Sequence, residues 1–365
     1  MAGLSCGIVG LPNVGKSTLF NALTSNRAEA SNYPFCTIDP NVGVVEVLDE
    51  RLEVLAKISK TKKTVYATTE FVDIAGLVEG ASKGEGLGNA FLTHIRQTDA
   101  IVHVVRCFES ADVIHVKGRV DPIQDIEIIN LELILADLGT CENSLARIEK
   151  QSKLKKELVP AVDLLIKVRE HLNDNLPLRT LKLTQEEEVL FALYPFMTRK
   201  KVLYAANVSE NDLPSMENEY VALVREFAAK EGNSVIPICA RLEEEIAQLQ
   251  SQERKEFLES LGLAESGLQR LIKESFKMLG LITFLTTGEM ETRAWTIPKG
   301  ITAVEAAGKI HTDIQKGFVR AEVITYDDFV HYNGRVHAKE AGKARFEGKE
   351  YIVQDGDIVL FLHSG

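Results

Sequence analysis

Residues 10–17 read Gly-Leu-Pro-Asn-Val-Gly-Lys-Ser, a complete G-x-x-x-x-G-K-[ST] loop. The apolar run Cys6-Gly7-Ile8-Val9 precedes it, and Ser17-Thr18-Leu19-Phe20-Asn21-Ala22-Leu23 follows with helical character. Strand, loop and helix in that order is the setting the motif requires. It commits the chain to an α/β layer with a ligand loop at the carboxyl end of a strand. Backbone N–H groups at the helix N-terminus would face phosphates, aided by the helix dipole. Lys16 is placed to reach the β- and γ-phosphates, and the Ser17 hydroxyl to ligate Mg²⁺.

A second apolar strand, Thr69-Glu70-Phe71-Val72, runs into Asp73-Ile74-Ala75-Gly76. This D-x-x-G pattern predicts an Asp73 that holds Mg²⁺ through water and a Gly76 N–H at the γ-phosphate. Between the two motifs, Asn32-Tyr33-Pro34-Phe35-Cys36-Thr37 offers Thr37 as a residue that closes over the metal. Leu77 stands where Ras-like enzymes place a water-orienting glutamine, so intrinsic hydrolysis is expected to be slow. The glycines from Gly76 to Gly88 predict a mobile loop that orders with a ligand. His115, beyond the strand Ala100–Val105, is a candidate for orienting the attacking water. In related loops, an asparagine at the position of Asn13 helps hold a monovalent cation, which makes K⁺ a candidate second ion.

Further apolar runs, Lys201–Ala206 and Ser234–Ile238, have the character of buried parallel strands. The fold class is therefore α/β, a doubly wound phosphate-loop domain. The first run leads into Asn207-Val208-Ser209-Glu210, where a GTPase carries Asn-Lys-x-Asp. The second leads into Cys239-Ala240-Arg241, which matches the loop that touches the base edge. An Asp there accepts from guanine N1–H and N2–H₂; Glu210 is one methylene longer and displaces that carboxylate. An Asn amide can pair the adenine N6 and N7 edge. Adenine is therefore permitted, and a degenerate guanine site remains the alternative.

From Val105 to Lys201 the chain is too long for a single crossover. Leu131, Ile134, Leu138, Cys141, Leu145 and Ile148 keep a heptad-like spacing, as do Leu154, Leu158, Ala161, Leu165, Val168 and Leu172. The phase breaks at residues 149–153. This predicts an antiparallel helical arm over about 125–180, with Lys150, Lys153, Lys155 and Lys156 at its tip and Pro160 in the first turn of the returning helix. After residue 280 short strands surround a helix from Thr302 to Ile310. The expected domains are thus 1–280, with the arm inserted, and a β-grasp module over 281–365.

Composition narrows the partners. With a net charge of −11, the chain as a whole is unsuited to unspecific nucleic-acid binding, which leaves local basic patches. Five cysteines without metal spacing read as reduced thiols of a cytoplasmic protein. No apolar run is long enough to span a membrane, so no membrane partner is expected.

The loop Gly-Leu-Pro-Asn-Val-Gly-Lys-Ser-Thr, the Asn32–Asn41 segment, the Asp73–Leu92 segment, Asn-x-x-Glu at 207–210 and the Gly356–Phe361 end together resemble the YchF/Obg-like ATPase family. The resemblance covers essentially the whole chain. It implies ATP in preference to GTP, Mg²⁺, slow turnover, a C-terminal TGS domain and association with the ribosome, through the large subunit and RNA. Carried over by position, Asn13, Val14, Gly15, Lys16, Ser17 and Thr18 bind phosphates. Ser17 and Thr37 ligate the metal, and Asn207, Val208 and Glu210 lie at the base. Two functional classes stay open: a nucleotide-driven ATPase switch on the translation machinery, and a GTP-binding regulator whose hydrolysis is incidental.

Overall fold

The computed structural model of the protein describes residues 4–25, 41–74, 87–109 and 119–364. The chain begins β1 (Ser5–Val9), α1 (Lys16–Ser25), β2 (Val42–Val47), α2 (Glu50–Ser59), β3 (Thr64–Val65), β4 (Ala67–Asp73), α3 (Leu87–Gln97) and β5 (Ala100–Arg106). It continues with α4 (Pro122–Ser152), α5 (Val159–Asn173), α6 (Gln185–Phe191), β6 (Val202–Asn207), α7 (Glu219–Glu231), β7 (Ser234–Ile238) and α8 (Ala240–Ala247). After α9 (Ser251–Ser260) and α10 (Gly267–Met278) come β8 (Leu281–Thr287), β9 (Thr292–Pro298), α11 (Ala303–Ile310) and α12 (Thr312–Lys316). The end is β10 (Phe318–Ile324), α13 (Tyr326–His331), α14 (Arg335–Glu340), β11 (Arg345–Glu347) and β12 (Ile358–His363). Among the described residues no helix is long and apolar enough to cross a membrane. Cys6, Cys107, Cys141 and Cys239 are buried and form no disulfide.

The first sheet has the order β2-β4-β1-β5-β6-β7. The pairs β1–β4, β1–β5, β5–β6 and β6–β7 are parallel. Strands β5 and β6 are buried at every position, as parallel strands covered on both faces must be. The strand order brings the carboxyl ends of β1, β4, β5, β6 and β7 to one edge. The phosphate loop, Asp73, Asn207 and Cys239 all leave the sheet there.

Helices α4 and α5 form the expected antiparallel hairpin. Asp121 caps α4, its carboxylate accepting from the Gln124 N–H, and Pro122 occupies the first turn. Ile134, Cys141, Leu145 and Ile148 pack against Ala161, Leu164, Leu165, Val168 and Leu172. Pro160 lies in the first turn of α5, where its missing N–H costs no helical bond. Two expected seam residues fall outside the core. Leu154 is 90% exposed, because it sits in the turn where the phase breaks. Leu131 is 43% exposed, because at its level α5 has already ended at Asn173. Phe191 and Phe196 close the far end of this core, so it extends past residue 180.

Two compact units share the chain. One holds the described residues up to Gly43 and Glu70–Leu271; the other joins Val44–Thr69 to everything from Ile272 onward. A boundary at residue 280 tracks the C-terminal change of pattern but does not express that early segment. In the second unit the sheet order is β11-β10-β12-β8-β9-β3, so β3 pairs with β9 at one edge. Helix α11 lays Ala303, Ala306 and Ala307 on Phe284, Ile297, Val323 and Phe361. The Glu305 carboxylate accepts from both the N–H and the hydroxyl of Thr302, the expected N-cap.

Arg51 of α2 ties the early segment to the C-terminal strands. Its guanidinium donates to both carboxylate oxygens of Asp49, to Asp355 Oδ2 at 2.9 Å and to Thr283 Oγ1 at 3.1 Å. Burial opposes the charge, yet these bonds outweigh it and hold the Arg51 pKa above its ordinary value. Gly356 turns the chain at φ 80°, and a Cβ there would lie 2.6 Å from Arg51 Nη1. Arg51→Ala should therefore destabilise the second unit by about 2 kcal/mol, with Arg51→Lys recovering only part because a point charge cannot span three partners. The single tryptophan, Trp295, sits in β9 and reports unfolding of this unit by fluorescence. An unchanged Trp295 unfolding midpoint in Arg51→Ala would show that the guanidinium does not tie these segments together.

Candidate nucleotide site

The phosphate loop turns on two positive backbone angles, Asn13 at φ 64° and Gly15 at φ 95°. A Cβ at Gly15 would lie 2.2 Å from Asn207 Nδ2, so the position has no room for a side chain. Helix α1 starts at Lys16, and the first helical bond runs from the Leu19 N–H to Gly15 O at 3.0 Å. Val14 is buried and pins the loop, while Asn13 and Ser17 are exposed on its outer side. Lys16 Nζ is ion-paired with Asp73 Oδ1 at the end of β4. The two sequence motifs are thus drawn together through Lys16 and Asp73, with Ser17 next to Lys16 in the chain.

Asn207 is 4% exposed at the end of β6. Its Nδ2 donates to Val14 O at 2.8 Å, and its Oδ1 accepts from the Ala240 N–H at 3.0 Å. One side chain thereby fastens the phosphate loop to the start of α8. Each end retains one further hydrogen-bonding valence. Pairing with adenine would therefore share Asn207 with the protein rather than engage an uncommitted amide. Val208 is buried and its N–H donates to Ile238 O at 2.9 Å. The Cys239 thiol is buried too, which pushes its pKa up.

These residues border a cleft of about 560 Å³ that runs from Asn13, Gly15 and Thr18 to the loop 207–211 and the start of α8. Four of its wall residues carry no motif: Phe108 and Glu109 after β5, Asn211 beyond Glu210, and Glu244 in α8. The rule that ligands sit beyond the carboxyl ends of strands was the one signal in the sequence for the first two. Glu109 Oε1 accepts from Tyr220 Oη at 2.6 Å. Glu210 Oε1 lies 3.1 Å from Arg241 Nε across the mouth of the cleft. Of the expected site residues, Thr37, Gly76 and His115 lie outside the described residues, as does Leu77. Gly88, expected in a mobile loop, belongs to α3.

Among the described residues no group of three or more His, Cys, Asp or Glu side chains could hold a metal ion. Mg²⁺ needs no such group, because it keeps several waters and takes one or two hard oxygen ligands plus substrate phosphates. Ser17 and Asp73 carry oxygens of that chemical kind.

Comparison with known proteins accords with this geometry. A family model described as a 50S ribosome-binding GTPase matches residues 5–140. The C-terminal YchF GTPase model, described as a protein of unknown function, matches residues 281–364. A Bacillus subtilis (strain 168) protein named ribosome-binding ATPase YchF is 55% identical over 360 residues, covering 98% of each chain. Its namesake in Escherichia coli O157:H7 is 55% identical over 361 residues, covering 99% of each. The solved structure of the Schizosaccharomyces pombe YchF GTPase matches with a TM-score of 0.89 at 38% identity, over 99% of this chain and 98% of that one.

Proposed function

The chain belongs to the YchF family of P-loop nucleoside triphosphatases, and we propose that it hydrolyses ATP in preference to GTP as a ribosome-associated switch. The observation that carries the base preference is the engagement of the first backbone donor of α8. The Ala240 N–H is bonded to Asn207 Oδ1. Guanine presents O6, an acceptor, where adenine presents the N6 amine, a donor. O6 would meet a backbone donor that is already engaged, and a site that leaves such a group unpaired discriminates strongly. The carboxylates of Glu109, Glu210 and Glu244 around the cleft favour a donor amine over a carbonyl oxygen for the same electrostatic reason.

Lys16 binds and orients the β- and γ-phosphates, and the loop backbone holds them in register. Ser17 and Asp73, with Thr37 as a further ligand by family position, would hold Mg²⁺, which would supply neutralisation of the phosphate charge. Leu77 contributes no water-orienting group, so turnover is slow until K⁺ at Asn13 or the ribosome completes the site. Competition between ATP and GTP for the purified protein tests the base preference. ATP should bind at least about tenfold tighter, the size of one or two selective hydrogen bonds. Val208→Lys with Glu210→Asp should move the preference toward GTP. Equal or tighter GTP binding by the parent would instead favour the reading suggested by the name of the fission-yeast structure, a GTPase.

The hairpin tip supplies a ribosome contact in this proposal. Lys153, Lys155 and Lys156 are exposed, beside the exposed Leu154. Reversing these three charges should weaken co-sedimentation with ribosomes, acting through ribosomal RNA of the large subunit. It should lower the slope of log affinity against log salt by about two to three, roughly one for each phosphate that is no longer neutralised. ATP turnover without ribosomes should not change. An unaltered salt slope would reduce the tip to a structural role.

A further inference from the structure

Glu210 and Arg241 are rooted in rigid backbone on opposite sides of the cleft mouth. Glu210 opens a single 3₁₀ turn, Glu210–Asp212, whose entry is fixed by the Asp212 carboxylate. That carboxylate accepts from the Ser209 N–H at 3.0 Å and the Ser209 hydroxyl at 2.9 Å. Arg241 is the second residue of α8, a helix start held by Asn207 through Ala240. With both backbones fixed, the side chains meet at 3.1 Å, Arg241 Nε to Glu210 Oε1.

We propose that Arg241 is a positioning residue for base specificity: its guanidinium holds the Glu210 carboxylate across the cleft mouth, away from the place where it could accept from guanine N1–H and N2–H₂. This rests on the ATP preference proposed above and names the side chain that maintains it. Length alone does not disqualify Glu210, because a glutamate can fold back to shorten its reach. What opposes that rotamer is the loss of the ion pair. Adenine has no donors on the corresponding edge, so a Glu210 engaged by Arg241 costs ATP nothing. GTP must either break the pair or leave its donors unmet.

The pair is partly solvated, with side-chain exposures of 77% for Arg241 and 49% for Glu210, so its effect is bounded. Arg241→Ala should narrow the ATP-over-GTP affinity ratio by up to about fivefold, the range of exposed ion pairs. The change should appear as tighter GTP binding, with ATP binding little altered. Arg241→Lys should restore the parent ratio, because an ammonium can still hold the carboxylate. Arg241→Ala combined with Glu210→Gln should lose the GTP gain, since the amide is no longer an acceptor pair; this closes a double-mutant cycle. Both affinities are read by competition against a fluorescent adenine nucleotide. A parent that prefers ATP, with an unchanged ratio in Arg241→Ala or an equal loss for both nucleotides, overturns the inference alone. A parent without ATP preference overturns the underlying proposal and the inference with it.

Discussion

Gly15→Ala should lower nucleotide affinity by about a hundredfold while Gly232→Ala leaves it unchanged. Both glycines have positive φ, 95° and 70°, so both substitutions carry backbone strain of about 1–2 kcal/mol. They differ in what the new methyl meets. Nothing lies within 4 Å of a Cβ at Gly232, the C-cap of α7. At Gly15 the methyl would press on Asn207 Nδ2 at 2.2 Å. Asn207 cannot yield alone, because its amide joins Val14 O to the Ala240 N–H. Relief must come from the loop or from α8, and either movement disperses groups that converge on the nucleotide. Strain plus two broken hydrogen bonds of about 1 kcal/mol each gives roughly 3 kcal/mol, or about a hundredfold. Titration with a fluorescent nucleotide reads the effect. Equal affinities for the two variants would show that Asn207 does not brace the loop.

Motif residues were legible in the sequence because phosphate chemistry demands particular backbone. The strand before Gly10, the helix after Lys16 and the strand ends at Asp73 and Asn207 all follow from period and position. The hairpin was legible from its heptads, including Pro160 in the first turn of α5. Its errors have one cause: spacing alone does not say where the partner helix stops, so Leu131 and Leu154 were placed in a seam that has no second wall there. The use of Asn207 was hidden for a related reason. Sequence shows a residue with four hydrogen-bonding valences, but not that Val14 O and the Ala240 N–H claim two of them. The grouping of Val44–Thr69 with the C-terminal strands rests on long-range pairing, β3 with β9 and Arg51 with Asp355, which leaves no periodic trace. Glu244 became visible only once the strand order set the walls of the cleft, and Phe108 and Glu109 had no signal beyond their place after a strand.

Lys16→Ala and Asp73→Asn should separate the two halves of the phosphate site, the first losing binding with or without Mg²⁺ and the second only with it. Lys16 and Asp73 are an ion pair with side-chain exposures of 11% and 23%. Removing one member of such a pair leaves the other charge with little solvent to compensate it. In Lys16→Ala the surviving Asp73 carboxylate faces the incoming phosphates with no ammonium between them. Loss of charge-assisted bonds to two phosphates, about 2 kcal/mol each, predicts at least about a thousandfold weaker binding with or without Mg²⁺. In Asp73→Asn the repelling charge goes and Lys16 is released to the phosphates. Binding in the presence of a chelator should then equal or exceed that of the parent. With Mg²⁺ present the order should reverse, because the carboxylate proposed to hold the metal has become an amide. The readout is a crossing: Asp73→Asn at or above the parent without the metal, and below it with the metal. Parallel losses in both conditions would mean that Asp73 supports the loop structurally, and that the Lys16–Asp73 pair does not compete with nucleotide for the same charges.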